Sequence, residues 1–210
     1  MTVSTERYGR VAASLHWMIA VLIIINLVTG FLFSDEPLPP MPVALPTGEP
    51  PVLPPWDPTK PIHISVGVLV LVLTFVRLLW RLRNRPPVHR PDHMSRWEVL
   101  AAVWMHRFLY FLMIAIPLTG WLMISAHKVY PIRQQFFGLF DLPMFSFMQR
   151  YEVSTIDQLF ALFRDSHWLL SEWGMPILLA IHIGALVKHH MVDKDPIMRR
   201  MWPWGKGAAK

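Results

Sequence analysis

The chain of 210 residues has no cysteine. That excludes disulfides, thiolate metal sites, iron–sulfur clusters and cofactor attachment through a Cys-x-x-Cys-His motif. Charge is also scarce: 16% of residues are charged against 53% hydrophobic. With a mean hydropathy of +0.36, the composition excludes an ordinary soluble domain. What is present is bulky and apolar, with 10 Trp, 12 Phe and 13 Met. The formal charge of +6 raises nucleic acid as a partner, so the placement of that charge matters more than its sign.

A helix crossing the hydrocarbon core needs about 20 apolar residues, because the core is about 30 Å thick and each residue rises about 1.5 Å. Residues 11–34 contain no Lys, Arg, Asp or Glu; 61–76 are equally clean and extend to Trp80 if Arg77 snorkels. Residues 108–127 are clean, and 173–187 reach back to Trp168 across Glu172. A cleaved signal peptide competes for the first stretch, but the run is too long and lacks a small-x-small exit before Asp35. The expectation is an all-α integral membrane four-helix bundle, one domain over 1–210, with helices at about 11–34, 61–81, 98–127 and 168–190. No internal repeat is apparent.

Lys and Arg collect beside three segments: Arg7 and Arg10 at the start, Arg81 to Arg107 after the second helix, and Lys188 to Lys210 in the tail. The other two connections are rich in Asp and Glu. By the positive-inside rule both termini are cytoplasmic in a bacterial inner membrane. The basic excess then reports topology and lipid headgroups, and nucleic acid drops out as a partner. The outer connections are long. Residues 36–61 are crowded with proline and read as stiff and extended. Residues 128–166 carry Phe136, Phe137, Phe140, Phe145, Phe160 and Phe163, which read as short amphipathic pieces at the membrane surface, capping the bundle or receiving a partner.

Polar groups at membrane depth are expensive, and here they are histidines. His16 and His182 share the inner depth, His63 and His167 the outer depth, each pair drawn from two helices. His167 and His182 are fifteen residues apart, about 22 Å along a helix and about 60° from alignment, so both can face one bundle interior. A lone helical histidine is ordinarily a packing residue; two pairs at two depths suit two stacked sites. Zinc asks for three or four ligands and di-iron for several carboxylates, whereas haem brings its own equatorial nitrogens and asks for two axial ligands and a slot. Gly30, Gly67, Gly120 and Gly174 each lie near the direction of a histidine and can open that slot, ordinary close packing being the rival reading of each. Without cysteine the group is non-covalent b-type haem.

The chain resembles the prokaryotic cytochrome b561 family along nearly its whole length. The likeness rests on residues 10–17 (RVAASLHW), 62–67 (IHISVG), 76–81 (VRLLWR), 105–107 (MHR) with Tyr110, 116–121 (IPLTGW), 137–143 (FGLFDLP) and His182, followed by 188–190 (KHH), 193–195 (DKD) and 199–201 (RRM). The resemblance implies a four-helix protein with two haems b that exchanges electrons with quinone, His16 and His182 ligating the inner iron and His63 and His167 the outer. The family usually separates the two histidines of the fourth helix by fourteen residues, here fifteen with Pro176 between them, so a bulge or kink has to absorb one residue. His106 and His189, with Arg77, Arg81 and Tyr110, are the candidates for an inner quinone pocket, with propionate contact or headgroup solvation as the rival reading. His89, His93, His127 and His190 read as surface residues.

The expected function is a relay between a periplasmic-side partner, either a redox protein or a small anion, and ubiquinone. Three readings compete with it. One is a superoxide oxidase with ubiquinone as acceptor, one the cytochrome b subunit of a larger dehydrogenase or hydrogenase, and one, of another class, a histidine-lined ion or proton transporter.

Overall fold

The computed structural model describes residues 8–33, 59–84, 94–126, 134–195 and 197–204. Four helical spans are long and apolar enough to cross a membrane. Three are α1 (Arg10–Phe33), α2 (Thr59–Arg83) and α3 (Arg96–Ala126). The fourth consists of α4 (Val153–Leu169), a π turn (Leu170–Gly174) and α5 (Met175–Met191). A helix satisfies its backbone donors and acceptors internally, which is why these apolar runs cross lipid in this form. Val21, Ile24, Val28, Phe31, Val72, Phe75, Phe111 and Ile177 remain exposed on the flanks, a surface suited to acyl chains and not to water.

Local chemistry sets the ends and the irregularities. Ser95 and Glu98 form a capping box at the start of α3: the Ser95 N–H donates to Glu98 Oε2 at 2.8 Å and the Glu98 N–H to Ser95 Oγ at 3.3 Å. Pro176 has no N–H to give to the carbonyl four residues back, at Glu172, and its ring crowds that carbonyl. The π turn over Leu170–Gly174 is placed there. It loops out one residue, so the fifteen-residue interval from His167 to His182 has the helical phase of fourteen.

Helices α1 and α2 pack closely along each other, as do α3 and α4, and the two pairs meet chiefly through α2 and α3. The core is a layer of Ile19, Val66, Val70, Leu112, Met113, Ile116 and Met175 at mid-length. The expected fourth helix at 168–190 is too short at its start, since the chain is already helical from Val153. Arg164 and Asp165 pair with each other at 2.9 Å on the exposed surface of this helix.

The outer connection also differs from the amphipathic pieces expected over 128–166. Strands β1 (Gln135–Phe136) and β2 (Phe140–Asp141) form an antiparallel hairpin, and Ser146–Arg150 make a 3₁₀ turn. Phe137 and Gly138 both have positive φ, and the Leu139 N–H donates to the Phe136 carbonyl, the geometry of a type I′ turn. The fully buried Ser65 of α2 holds this hairpin, accepting from the Phe137 N–H at 2.8 Å and donating to the Gln135 carbonyl at 3.3 Å. Met148 and Ile156 bury themselves against the end of α3 at Ala126. The proline-rich residues up to 58 and residues 127–133 lie outside the described residues.

The start of α1 and the end of the described chain meet at the other end of the bundle, where the Tyr8 N–H donates to the Arg200 carbonyl at 3.2 Å. Lys194, with φ 55°, reverses the chain after α5 and leads into the short α6 (Ile197–Arg200). Trp17 Nε1 then donates to the Met201 carbonyl at 2.9 Å and its ring packs edge-on against Trp202. At the same end Lys188 bonds both Glu98 and Asp193, tying the start of α3 to the end of α5. The hydrogen bond from Lys188 holds the Asp193 carboxyl below its usual range, so this tie persists to mildly acidic pH and weakens only as Asp193 protonates.

Trp17→Phe keeps most of the ring contact and removes the donor. We expect a loss of about 1 kcal/mol, read as a lower melting temperature in detergent; unchanged melting would mean that the tail contributes nothing to the fold.

Candidate functional site

At the hairpin end, His63 of α2 and His167 of α4 face each other with ring centroids 6.1 Å apart and planes at 78°. Each ring is set by a groove on the helix it meets. His63 Nδ1 lies 3.0 Å from the Asn26 carbonyl, and His167 Nδ1 lies 2.8 Å from the Ile116 carbonyl. A carbonyl oxygen only accepts, so Nδ1 carries the proton in both rings and the lone pair falls on Nε2. Thr29 Oγ1 and Thr119 Oγ1 stand 3.4 Å from the same nitrogens. This arrangement orients an imidazole for ligation.

Glycine makes the groove. A Cβ at Gly30 would lie 3.1 Å from His63 Cε1, and one at Gly120 would lie 3.0 Å from His167 Cε1. Two of the four glycines expected to open a slot therefore lie against histidines. The other two are packing positions, Gly67 against Asn26 and Gly174 against Leu112.

At the terminal end, His16 of α1 and His182 of α5 have ring centroids 6.3 Å apart, also at 78°. Helices α1 and α5 approach less closely than their neighbours do, so these rings reach across an open seam. His106 joins them, its ring 5.5 Å from that of His182 and its Nδ1 2.6 Å from the Ala102 carbonyl of its own helix. Arg77 Nε donates to Tyr110 Oη at 3.0 Å, and the guanidinium carbons of Arg77 and Arg81 each lie 5.9 Å from the Tyr110 ring centre. His189 turns to Asp193, with Nδ1 2.8 Å from Oδ2. His190 is exposed, while His89, His93 and His127 fall outside the described residues.

Both separations match two imidazoles sharing one metal ion. A metal–nitrogen bond of about 2.0 Å on each side, with each ring centre about 1.1 Å further back, gives about 6.2 Å between centres. Among the described residues no three His, Asp or Glu side chains converge as a metal site. At the hairpin end two ligands with a glycine against each ring fit a group that carries its own equatorial nitrogens, which is haem; at the terminal end the pair has the same spacing and His106 stands beside it. The threonines and the Asn26 and Ile116 carbonyls were not singled out in the sequence; the recurrence of Thr-Gly at 29–30 and 119–120 was the available signal.

Known proteins give the same direction. The family model described as prokaryotic cytochrome b561 matches residues 7–204. "Cytochrome b561 homolog 2" of Escherichia coli (strain K12) is 29% identical over 201 residues, 95% of this chain and 93% of that protein. "Cytochrome b561 homolog 1" of the same organism is 31% identical over 141 residues, 67% of this chain and 73% of that protein. A protein of Yersinia pestis named "Probable superoxide oxidase CybB" is 28% identical over 202 residues, 96% of this chain and 99% of that protein. With four apolar spans and a family match over nearly its full length, the chain belongs to the prokaryotic cytochrome b561 family, multi-pass membrane electron-transfer proteins that bind b-type haem.

Proposed function

We propose that this chain holds two b haems, one at each histidine pair, and relays electrons across the bacterial inner membrane between a periplasmic-side partner and ubiquinone, with both termini cytoplasmic. The observation that carries this reading is the pair of ring separations, 6.1 and 6.3 Å, each between imidazoles of different helices. His63 and His167 would hold the group at the hairpin end, and His16 and His182 the group at the terminal end. Held between two histidines in this way, a haem would supply one-electron transfer.

The remaining work belongs to the protein. The Asn26 and Ile116 carbonyls hold the Nδ1 protons of His63 and His167 and keep Nε2 as the ligating atom. Between the two levels, the layer around Ile19, Val70, Leu112 and Met175 excludes water. At the terminal end Arg77 uses Nε on the Tyr110 oxygen, which leaves the phenol O–H as a donor beside a fixed cation. That pair, with Arg81, His106 and His189, forms the quinone pocket. The Asp193 carboxylate, kept ionised by Lys188, orients the His189 ring through Nδ1, and an imidazole held this way suits proton exchange with a quinone.

The likeness to a protein named as a probable superoxide oxidase favours a second reading of the same path, with superoxide as the periplasmic-side donor. Superoxide-dependent reduction of ubiquinone by the purified protein separates it from a protein donor. A docking role within a larger dehydrogenase would appear as co-purifying subunits.

A pyridine haemochrome assay against protein concentration should give two haems per chain, with one left in His182→Ala and one in His167→Ala; a haem-free preparation would favour the transporter class. Gly120→Leu should cost the haem at the hairpin end because its first carbon already meets the His167 ring. Gly184→Leu, whose Cβ position has nothing within 4 Å, should retain both. His189→Ala should keep both haems while quinone reduction slows by about 100-fold; loss of haem there would move His189 from the pocket to the ligand set.

A further inference from the structure

The segments that seat His63 and His167 are residues 26–30 (NLVTG) of α1 and 116–120 (IPLTG) of α3. Each supplies a carbonyl to an imidazole Nδ1, a threonine three residues on and then a glycine against the ring. In each the threonine hydroxyl also donates back to that carbonyl, Thr29 Oγ1 to Asn26 at 3.1 Å and Thr119 Oγ1 to Ile116 at 2.9 Å. The seats therefore match, while the residue that gives the carbonyl carries a carboxamide in one and a hydrocarbon in the other. Ile116 shows that seating a histidine needs no polar side chain at that position.

The Ile116 side chain joins the apolar layer at mid-length. The Asn26 side chain does not find a partner. Its Oδ1 is buried, and among the described residues nothing donates to it. Its Nδ2 lies 3.4 Å from where a Cβ on Gly67 would be, and that same position is 4.0 Å from Pro117 Cβ. Gly67 is one turn from His63 on the same face of α2, and Pro117 adjoins Ile116. The carboxamide is thus enclosed among α1, α2 and α3, beside the face that carries one ring and next to the residue that seats the other.

Buried hydroxyls of the spans are satisfied within the protein: Ser65 bonds the outer hairpin, Thr74 Oγ1 donates to the Val70 carbonyl at 2.7 Å and Ser125 Oγ to the Trp121 carbonyl at 2.8 Å. Asn26 Oδ1 has no such bond. A polar atom at this depth has lost its hydration without a compensating contact, so packing alone does not account for it, and a polar residue inside a span is a functional residue by default.

We propose that Asn26 sets the reduction potential of the cofactor at the hairpin end, its carboxamide oxygen favouring the more positive of that cofactor's two states. This rests on the two-haem reading above. Taking up one electron converts ferric to ferrous iron and lowers the charge of the site by one, with no bond made or broken. The amide nitrogen is turned to Gly67, which leaves the oxygen, the negative end of the dipole, as the end that acts. In a medium of low dielectric it stabilises the ferric state, whereas a hydrocarbon in its place favours the ferrous one. A lower potential at the outer level favours passage of the electron toward the terminal end.

The test makes the two segments alike. Asn26→Ile in the whole haem-loaded protein should keep two haems per chain. Its hairpin-end potential should rise, so that at the wild-type midpoint the ferrous-to-ferric ratio increases about threefold or more, about 28 mV at 59 mV per tenfold for one electron. The same substitution in the His182→Ala protein, which keeps the hairpin-end haem alone, assigns the shift as a single wave in a spectroelectrochemical titration. An unmoved or lowered potential with that haem retained overturns the proposal, whatever happens to the melting temperature. Loss of the hairpin-end haem from a folded Asn26→Ile protein overturns it too, since the side chain would then seat the ring. If Asn26→Ile does not assemble, Asn26→Ala is measured with the same readings. A His182→Ala protein that holds no haem with Asn26 intact would refute the two-haem reading instead.

Discussion

The geometry depends on a hydrogen bond that fixes which nitrogen of an imidazole carries its proton. At the hairpin end the Asn26 and Ile116 carbonyls take the Nδ1 protons of His63 and His167, so both rings present the same atom to the space between them. Such carbonyls belong to the helical ladder and have a second lone pair to offer, so the bond does not break the helix. Threonine and glycine beside each carbonyl complete the receptor, one narrowing it and the other letting the ring approach.

Lipid imposes the second constraint. Without water to satisfy them, backbone groups must bond within each span, which makes helices obligatory and leaves side chains to define the site. The flanks are accordingly apolar, and the interior carries histidines at two levels together with buried hydroxyls such as Ser65 and Thr74. Proline is accommodated without loss of the span. Pro176 is answered by a π turn, and the same turn brings His182 into phase with His167. An interval one residue longer than the family's is thereby compatible with both histidines facing one interior.

The two ends of the bundle are built differently. At the hairpin end two rings, each seated on a carbonyl of the helix it meets, face each other, whereas at the terminal end His106 stands 5.5 Å from His182 beside His16, and Arg77 of α2 bonds Tyr110 of α3.

Four spans, the scarcity of charge within them and the depths of His16, His63, His167 and His182 were legible from the sequence, because hydropathy and helical rise are local quantities. The family was legible too, from the order and spacing of short motifs. The early start of the fourth helix was not, since Arg164 and Asp165 look the same on a projecting helix as on a surface loop. Nor was the hairpin at Gln135–Asp141, whose register and positive φ at Phe137 are held by Ser65, a residue 72 positions away. Composition and periodicity alone determined that this is a membrane bundle with paired histidines. Only the tertiary structure decided which carbonyl orients each ring and that Arg77 bonds Tyr110 of the next helix, because those relations run between helices and no local pattern encodes them.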